Sequence, residues 1–304
     1  MRRRDFLSAT AELGLPFFLW SFVHAGSKFF SPGSIQEAYR PDQRTQKIFS
    51  EIMKTAGRKG WAALPIGECM GRIGQLLLGT PYVAFTIEAS GPEVCRVVLT
   101  GVDCVTFYEN VLCMARILKK GKSAMSDLLQ EIAFTRYRGG KLTDYTSRLH
   151  YTSDWIYDNE QKKVVRNITA ELGGKKYPLR VSFMSENPGY YAALVENPGF
   201  IQVIARFERM INERIHYYIP LSRVKKVEKR LQTGDIIAFT TSKKGLDYSH
   251  TGLAYRDGKG MLRLMHASSK EKKVILDGEL SEYGSSVNTH TGITVARPLE
   301  PKPT

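Results

Sequence analysis

The order in which helical and strand signals fall along this 304-residue sequence constrains its fold more than any single motif. Helical patterns occupy the first two-thirds. Pro41 opens a segment with Ile48, Phe49, Ile52 and Met53 at helical spacing, and Gly57 closes it. A second helix is predicted over 65–78, ended by Gly79. A third is predicted over 103–119, where Val105, Leu112, Met114 and Leu118 recur and Gly121 follows. Further helical patterns cover 126–134, 147–157 and 199–213. Short runs rich in β-branched residues gather late, at 235–241, 251–255, 262–267, 273–276 and 293–297, with one earlier strand expected at 94–99. Helices first and antiparallel strands after them argue an α+β fold rather than alternating α/β.

Two of the six histidines sit at the ends of neighbouring predicted strands, in Ser249-His250-Thr251-Gly252 and Met265-His266-Ala267-Ser268. Asp257-Gly258 and Gly260 supply the turn between them. Opposed residues of an antiparallel pair project on the same face, so the register decides whether the histidines meet. If Tyr255 faces Met261, His250 faces His266 directly. If Asp257 faces Met261, His266 lies opposite Gly252, one diagonal away. If Arg256 faces Met261, the two fall on opposite faces. The pairing therefore requires an odd loop or a bulge.

The segment Gly101-Val102-Asp103-Cys104-Val105-Thr106-Phe107 places Cys104 in the first turn of a helix behind Asp103 as N-cap. The positive helix end stabilises a thiolate there, and the backbone N–H groups of that turn could hold an oxyanion. A free cysteine is more often a small buried apolar residue. What lifts Cys104 above that is the presence of candidate bases, His250 and His266, since a thiol nucleophile needs a base and the base an orienter. No Cys-x-x-Cys, His-Glu-x-x-His or other close ligand pair is present, so no metal or organic cofactor is expected. Cys113 shares the helix of Cys104 and is expected in the core, while a Cys69–Cys95 disulfide is an open possibility.

Forty-four Lys and Arg against 30 Asp and Glu leave a net charge of +14. Such charge suits an acidic partner without naming one. No groove-reading motif accompanies it, so a nucleic-acid partner is not expected. No integral membrane span is expected in the mature protein, and nothing in the sequence sets an oligomeric state. The chain opens Met1-Arg2-Arg3-Arg4-Asp5-Phe6-Leu7, followed by a mostly apolar stretch and then Val23-His24-Ala25-Gly26. This has the make-up of an export signal over 1–25, of twin-arginine type, and implies a periplasmic or exported protein. Residues 26–304 are then expected to form a single domain, elaborated around 142–215.

Several segments in order carry a family resemblance: Gly79-Thr80-Pro81-Tyr82, Asp103-Cys104, Gly234-Asp235-Ile236-Ile237-Ala238-Phe239, His250-Thr251-Gly252-Leu253-Ala254-Tyr255 and Met265-His266-Ala267-Ser268. Together they resemble the NlpC-type papain-like cell-wall hydrolases. Asp103-Cys104-Val105-Thr106-Phe107-Tyr108-Glu109-Asn110, Ser147-Arg148-Leu149-His150-Tyr151-Thr152-Ser153-Asp154-Trp155 and Gly245-Leu246-Asp247-Tyr248-Ser249-His250-Thr251-Gly252 are similar to the bacterial N-acetylmuramoyl-L-alanine amidase-like branch. The resemblance implies a papain-like α+β core, with a helix-borne nucleophile packed on an antiparallel sheet and a helical elaboration. It implies Cys104 as nucleophile, His250 as base and His266 as its orienter, with Tyr82 and Asp103 in contact with substrate.

Many NlpC-type endopeptidases read Asp-Cys-Ser-Gly, where the aspartate and serine help bind a free amine. Here Val105 and Thr106 follow Cys104, and a valine side chain accepts no hydrogen bond from an ammonium. The departure favours an acylated substrate. The implied reaction is hydrolysis of the N-acetylmuramoyl-L-alanine amide of peptidoglycan fragments, with anhydro-muramic ends among them. The alternatives are a γ-D-glutamyl-type muropeptide endopeptidase and a catalytically silent cell-wall binding module. Arg136, Arg138 and Arg148 are candidates for attracting stem-peptide carboxylates.

Overall fold

The computed structural model describes residues 39–302. The expected export signal at 1–25 lies outside them. Ten α-helices and eight strands are described. Helix α1 (Gln43–Arg58) begins behind Asp42, whose carboxylate accepts from the Thr45 N–H at 2.9 Å. It runs through Gly57 instead of ending there. After it come α2 (Ile66–Leu76), α3 (Cys104–Lys119), α4 (Met125–Arg136) and α5 (Thr152–Gln161). The short α6 (Phe183–Glu186) and α7 (Ala192–Glu196) precede α8 (Gly199–Asn212). Last come α9 (Leu221–Val227) and α10 (Leu280–Ser286).

Helix α3 is the centre of the molecule. From Thr106 to Leu118 every residue is buried, the mark of a helix enclosed on all sides. It packs on α2, α4 and strands β5 and β6. The strands are β1 (Val165–Asn167), β2 (Lys175–Tyr177), β3 (His216–Pro220), β4 (Ile236–Thr241), β5 (Tyr248–Arg256), β6 (Leu262–Ser268), β7 (Lys273–Glu279) and β8 (His290–Pro298). They form one antiparallel sheet in the order β2-β3-β8-β4-β5-β6-β7, with β1 also on β8. Side chains alternate between its faces. Ile236, Leu253 and Met265 join the core around α3. Ile237, Ala254 and Leu264 join a second core closed by Leu280 of α10 and by Val224 and Val227 of α9.

The five late strands form where their alternation predicts. The expected strand at 94–99 does not form. Its backbone is taken by side chains instead: Asn110 Nδ2 donates to the Val98 carbonyl at 3.3 Å, Arg136 Nη1 to that of Arg96 at 2.6 Å, and Tyr39 Oη to that of Val97 at 3.0 Å. The helix expected over 147–157 begins only at Thr152, because Asp144 caps a 3-10 turn at Tyr145–Ser147 just before it. A third cluster, including Tyr151, Val181, Phe183, Leu194 and Ile211, lies within the stretch expected as an elaboration.

Candidate active site

Local chemistry places Cys104. Asp103 is extended, and its Oδ1 accepts from the N–H groups of Val105 at 3.0 Å and Thr106 at 2.8 Å. The Asp103 N–H in turn donates to Thr106 Oγ1 at 2.9 Å, completing a reciprocal cap. Cys104 is thus the first residue of α3, and its residue is only 2% exposed. The N–H groups of Val105 and Thr106 are committed to Asp103, so those two are already engaged at the helix start. Because Asn caps as well as Asp, Asp103→Asn is expected to leave stability within about 0.5 kcal/mol, while Asp103→Ala should cost roughly 1 kcal/mol. Urea denaturation of the two variants checks this, and equal losses would contradict the capping role.

The hairpin selects one of the three registers. Arg256 pairs with Leu262 and Leu253 with Met265, and the Asp257 N–H donates to the Met261 carbonyl at 3.0 Å. The loop is the odd one, three residues, with Gly260 at φ +79°. His266 therefore lies opposite Gly252, one diagonal from His250. Gly252 is needed for that crossing, since a Cβ there would come within 2.9 Å of the His266 Cβ. His250 Nε2 and His266 Nδ1 are 2.6 Å apart, with the rings nearly perpendicular. The residue after His250 ties this pair to the nucleophile candidate, as Thr251 Oγ1 donates to the Cys104 carbonyl at 2.9 Å.

Two hollows meet here. Cys104 and Asp103 line one, together with Tyr108, Tyr151, Trp155 and Tyr248. His250 lines the other, with Arg263, Lys270, Asp277 and Tyr283. Tyr82 lines both. It is held by its N–H to the Lys272 carbonyl at 2.8 Å and by a bridge to Val102, two residues before Cys104.

Sequence reasoning missed Asp277, whose Oδ2 lies 3.2 Å from His266 Nε2. No local pattern marked it: His266 pairs with Ile275, and the register of this strand pair shifts between Met265–Leu276 and Arg263–Glu279, the stretch that holds Asp277. The hydrogen bond with His266 holds the Asp277 carboxyl below its usual range, against the opposing effect of burial. Tyr283 was also missed. Its ring centroid lies 4.8 Å from that of His266 and 5.7 Å from that of His250.

The three arginine candidates are all engaged in ion pairs. Arg136 donates to Glu109 Oε2 through Nε at 2.8 Å and Nη2 at 2.6 Å. Arg138 pairs with Asp154, and Arg148 pairs with both Glu88 and Glu93. Each of the three is thus held by a carboxylate of the fold, and Arg138 shares its partner Asp154 with Arg214.

The cysteines form no disulfide. Burial pushes the Cys69 and Cys95 thiols up to about 12 and that of Cys113 well above its usual value. These three stay protonated at neutral pH. Among the described residues, no group of three or more His, Cys, Asp or Glu is arranged to hold a metal ion, and no helix is long and apolar enough to cross a membrane.

An antiparallel sheet packed on a buried helix, the helix start tied through Thr251 to the strand that carries His250, makes an α+β chain of amidase-like fold. The sequence model of the AmiA-like, N-acetylmuramoyl-L-alanine amidase-like family matches residues 72–293, and the chain belongs to that family. A solved N-acetylmuramoyl-L-alanine amidase from Bacteroides uniformis is 34% identical over 77% of this chain and 99% of its own, with a TM-score of 0.73. A Bacteroides fragilis protein carrying a provisional xylanase description is 36% identical over 74% of this chain and 98% of its own, with a TM-score of 0.69. A protein from Legionella pneumophila, 19% identical over 90% of this chain and 99% of its own, shares the fold at a TM-score of 0.66. Among curated proteins, none matches the sequence.

Proposed function

We propose that this chain is a cysteine-dependent N-acetylmuramoyl-L-alanine amidase with a papain-like, NlpC-type core, acting on peptidoglycan fragments outside the cytoplasm. The observation that carries the reading is the 2.6 Å bond between His250 and His266, anchored to the Cys104 helix start through Thr251. His250 spends Nε2 on His266, so Nδ1 is the nitrogen that would serve the thiol. The Cys104 thiolate attacks the lactyl carbonyl of the muramoyl-L-alanine amide. His250 protonates the departing alanine amine, and a water activated by His250 then releases the acyl group. Val105 presents an apolar side chain beside Cys104 in the hollow, which supports an acylated nitrogen over a free ammonium.

A xylanase reading needs two carboxylates flanking a glycosidic bond. The carboxylates of the Cys104 hollow are otherwise engaged: Asp103 on its cap, Glu109 on Arg136, Glu88 on Arg148, and Asp247 on the Ser153 and Tyr248 N–H groups. That chemistry favours acyl transfer over glycoside hydrolysis.

Incubation with defined muropeptides bearing reducing or anhydro ends, read by mass spectrometry, tests the reading. The expected products are a muramyl sugar and a free peptide beginning with L-alanine. Cleavage within the stem peptide would replace the amidase by the γ-D-glutamyl endopeptidase. Intact substrate would leave the silent binding module.

A further inference from the structure

The row of contacts runs past the histidine pair to Asp277, and with both rings neutral its far end dictates where every proton in the row must sit. A carboxylate only accepts hydrogen bonds. His266 Nε2, 3.2 Å from Asp277 Oδ2, therefore carries a proton and donates it. A neutral imidazole protonated at Nε2 presents a lone pair at Nδ1. The 2.6 Å contact with His250 is then made by an N–H on His250 Nε2. That in turn leaves the lone pair of His250 on Nδ1, the form a general base requires.

We propose that Asp277 is a positioning residue that sets the tautomers of both histidines and so fixes His250 Nδ1 as the proton acceptor for Cys104. The proposal rests on the Cys104–His250–His266 reading above. In the step it prepares, the Cys104 S–H bond breaks, the proton passes to His250 Nδ1 and the electron pair stays on sulfur. The resulting imidazolium keeps its Nε2–H bond to His266, so no other proton in the row has to move. Deprived of the carboxylate, His266 is free to carry its proton on Nδ1. Two N–H groups would then point at each other unless His250 also moved its proton to Nδ1, where it could no longer act as a base.

The surroundings fit this role. The bond with His266 and a second from the Gly278 N–H at 2.7 Å favour the ionised form of Asp277, as does the nearby Lys270. Arg263 from β6 donates to the Asp277 carbonyl at 2.7 Å, which steadies the backbone behind the carboxylate. Tyr283 from α10 lies against both rings, and Glu271 and Glu282 line the same hollow. His266 is 1% exposed, so water competes little for its ring nitrogens.

Long-range nitrogen–proton correlation spectra of the histidine rings at neutral pH, taken on the full chain, read the tautomers directly. Both His250 and His266 are expected in the Nε2–H form. In Asp277→Asn, His266 should shift to or mix with the Nδ1–H form, and kcat on a muropeptide substrate should fall roughly tenfold with KM within about twofold. The effect stays well below the loss seen when the direct orienter of a catalytic histidine is changed. Asp277→Glu should recover most of the rate, which a merely structural role would not predict. A wild-type His266 protonated at Nδ1, or unchanged tautomers and kcat in Asp277→Asn, would overturn the proposal. Because the spectra do not depend on turnover, an active Cys104→Ala variant would instead remove the nucleophile reading while the tautomers still report on Asp277.

Discussion

Replacing Cys104 by alanine is expected to lower kcat/KM on muramoyl-L-alanine substrates by a thousandfold or more, on the order of 4 kcal/mol of transition-state stabilisation. The residue begins α3 without supplying its cap, which comes from Asp103, so the variant should fold normally. Losses of this size are expected where a side chain forms the covalent intermediate and no neighbour can replace it. The other three cysteines cannot stand in, since burial keeps their thiols protonated at neutral pH. Turnover with each variant, alongside circular dichroism, checks the expectation. A Cys104→Ala protein that still releases L-alanine peptides at a comparable rate would sink the cysteine mechanism.

The second large effect is on stability. Glu109 and Arg136 are 2% and 4% exposed, and both guanidinium contacts converge on one carboxylate oxygen. A buried arginine cannot shed its charge. Glu109→Gln keeps the volume but leaves that charge uncompensated, at a cost of roughly 3–5 kcal/mol. Domains of ordinary stability hold about 5–15 kcal/mol in total, so the variant should unfold at a much lower urea concentration. Adding Arg136→Met should recover part of the loss, because removing both charges also removes their desolvation. A loss under about 1 kcal/mol for Glu109→Gln would show that the pair is far better solvated than its burial implies.

Features decided within a few residues were legible in the sequence. Asp103 caps the helix of Cys104 because an N-cap reaches only the next two or three N–H groups. The late strands formed because period-two alternation is local, and the parity argument narrowed the histidine pairing to odd loops. The sequence could not choose between two of those registers. Only the closed hairpin set Asp257 opposite Met261 and made the histidine contact diagonal over Gly252.

Features that depend on groups far apart along the chain were not legible. Residues 94–99 have a strand's composition, yet their carbonyls are claimed by Tyr39, Asn110 and Arg136. The arginines looked available as anion sites until folding brought Glu109 and Glu93 to them across 27 and 55 residues. By itself, then, the sequence determined an α+β chain with a cysteine at a capped helix start and two histidines able to share a hairpin face. Tertiary structure decided which ring nitrogens meet, which charges cancel, and that Asp277 ends the row. Side-chain pairing across a sheet and between distant helices is set by register and packing, and no local pattern encodes either.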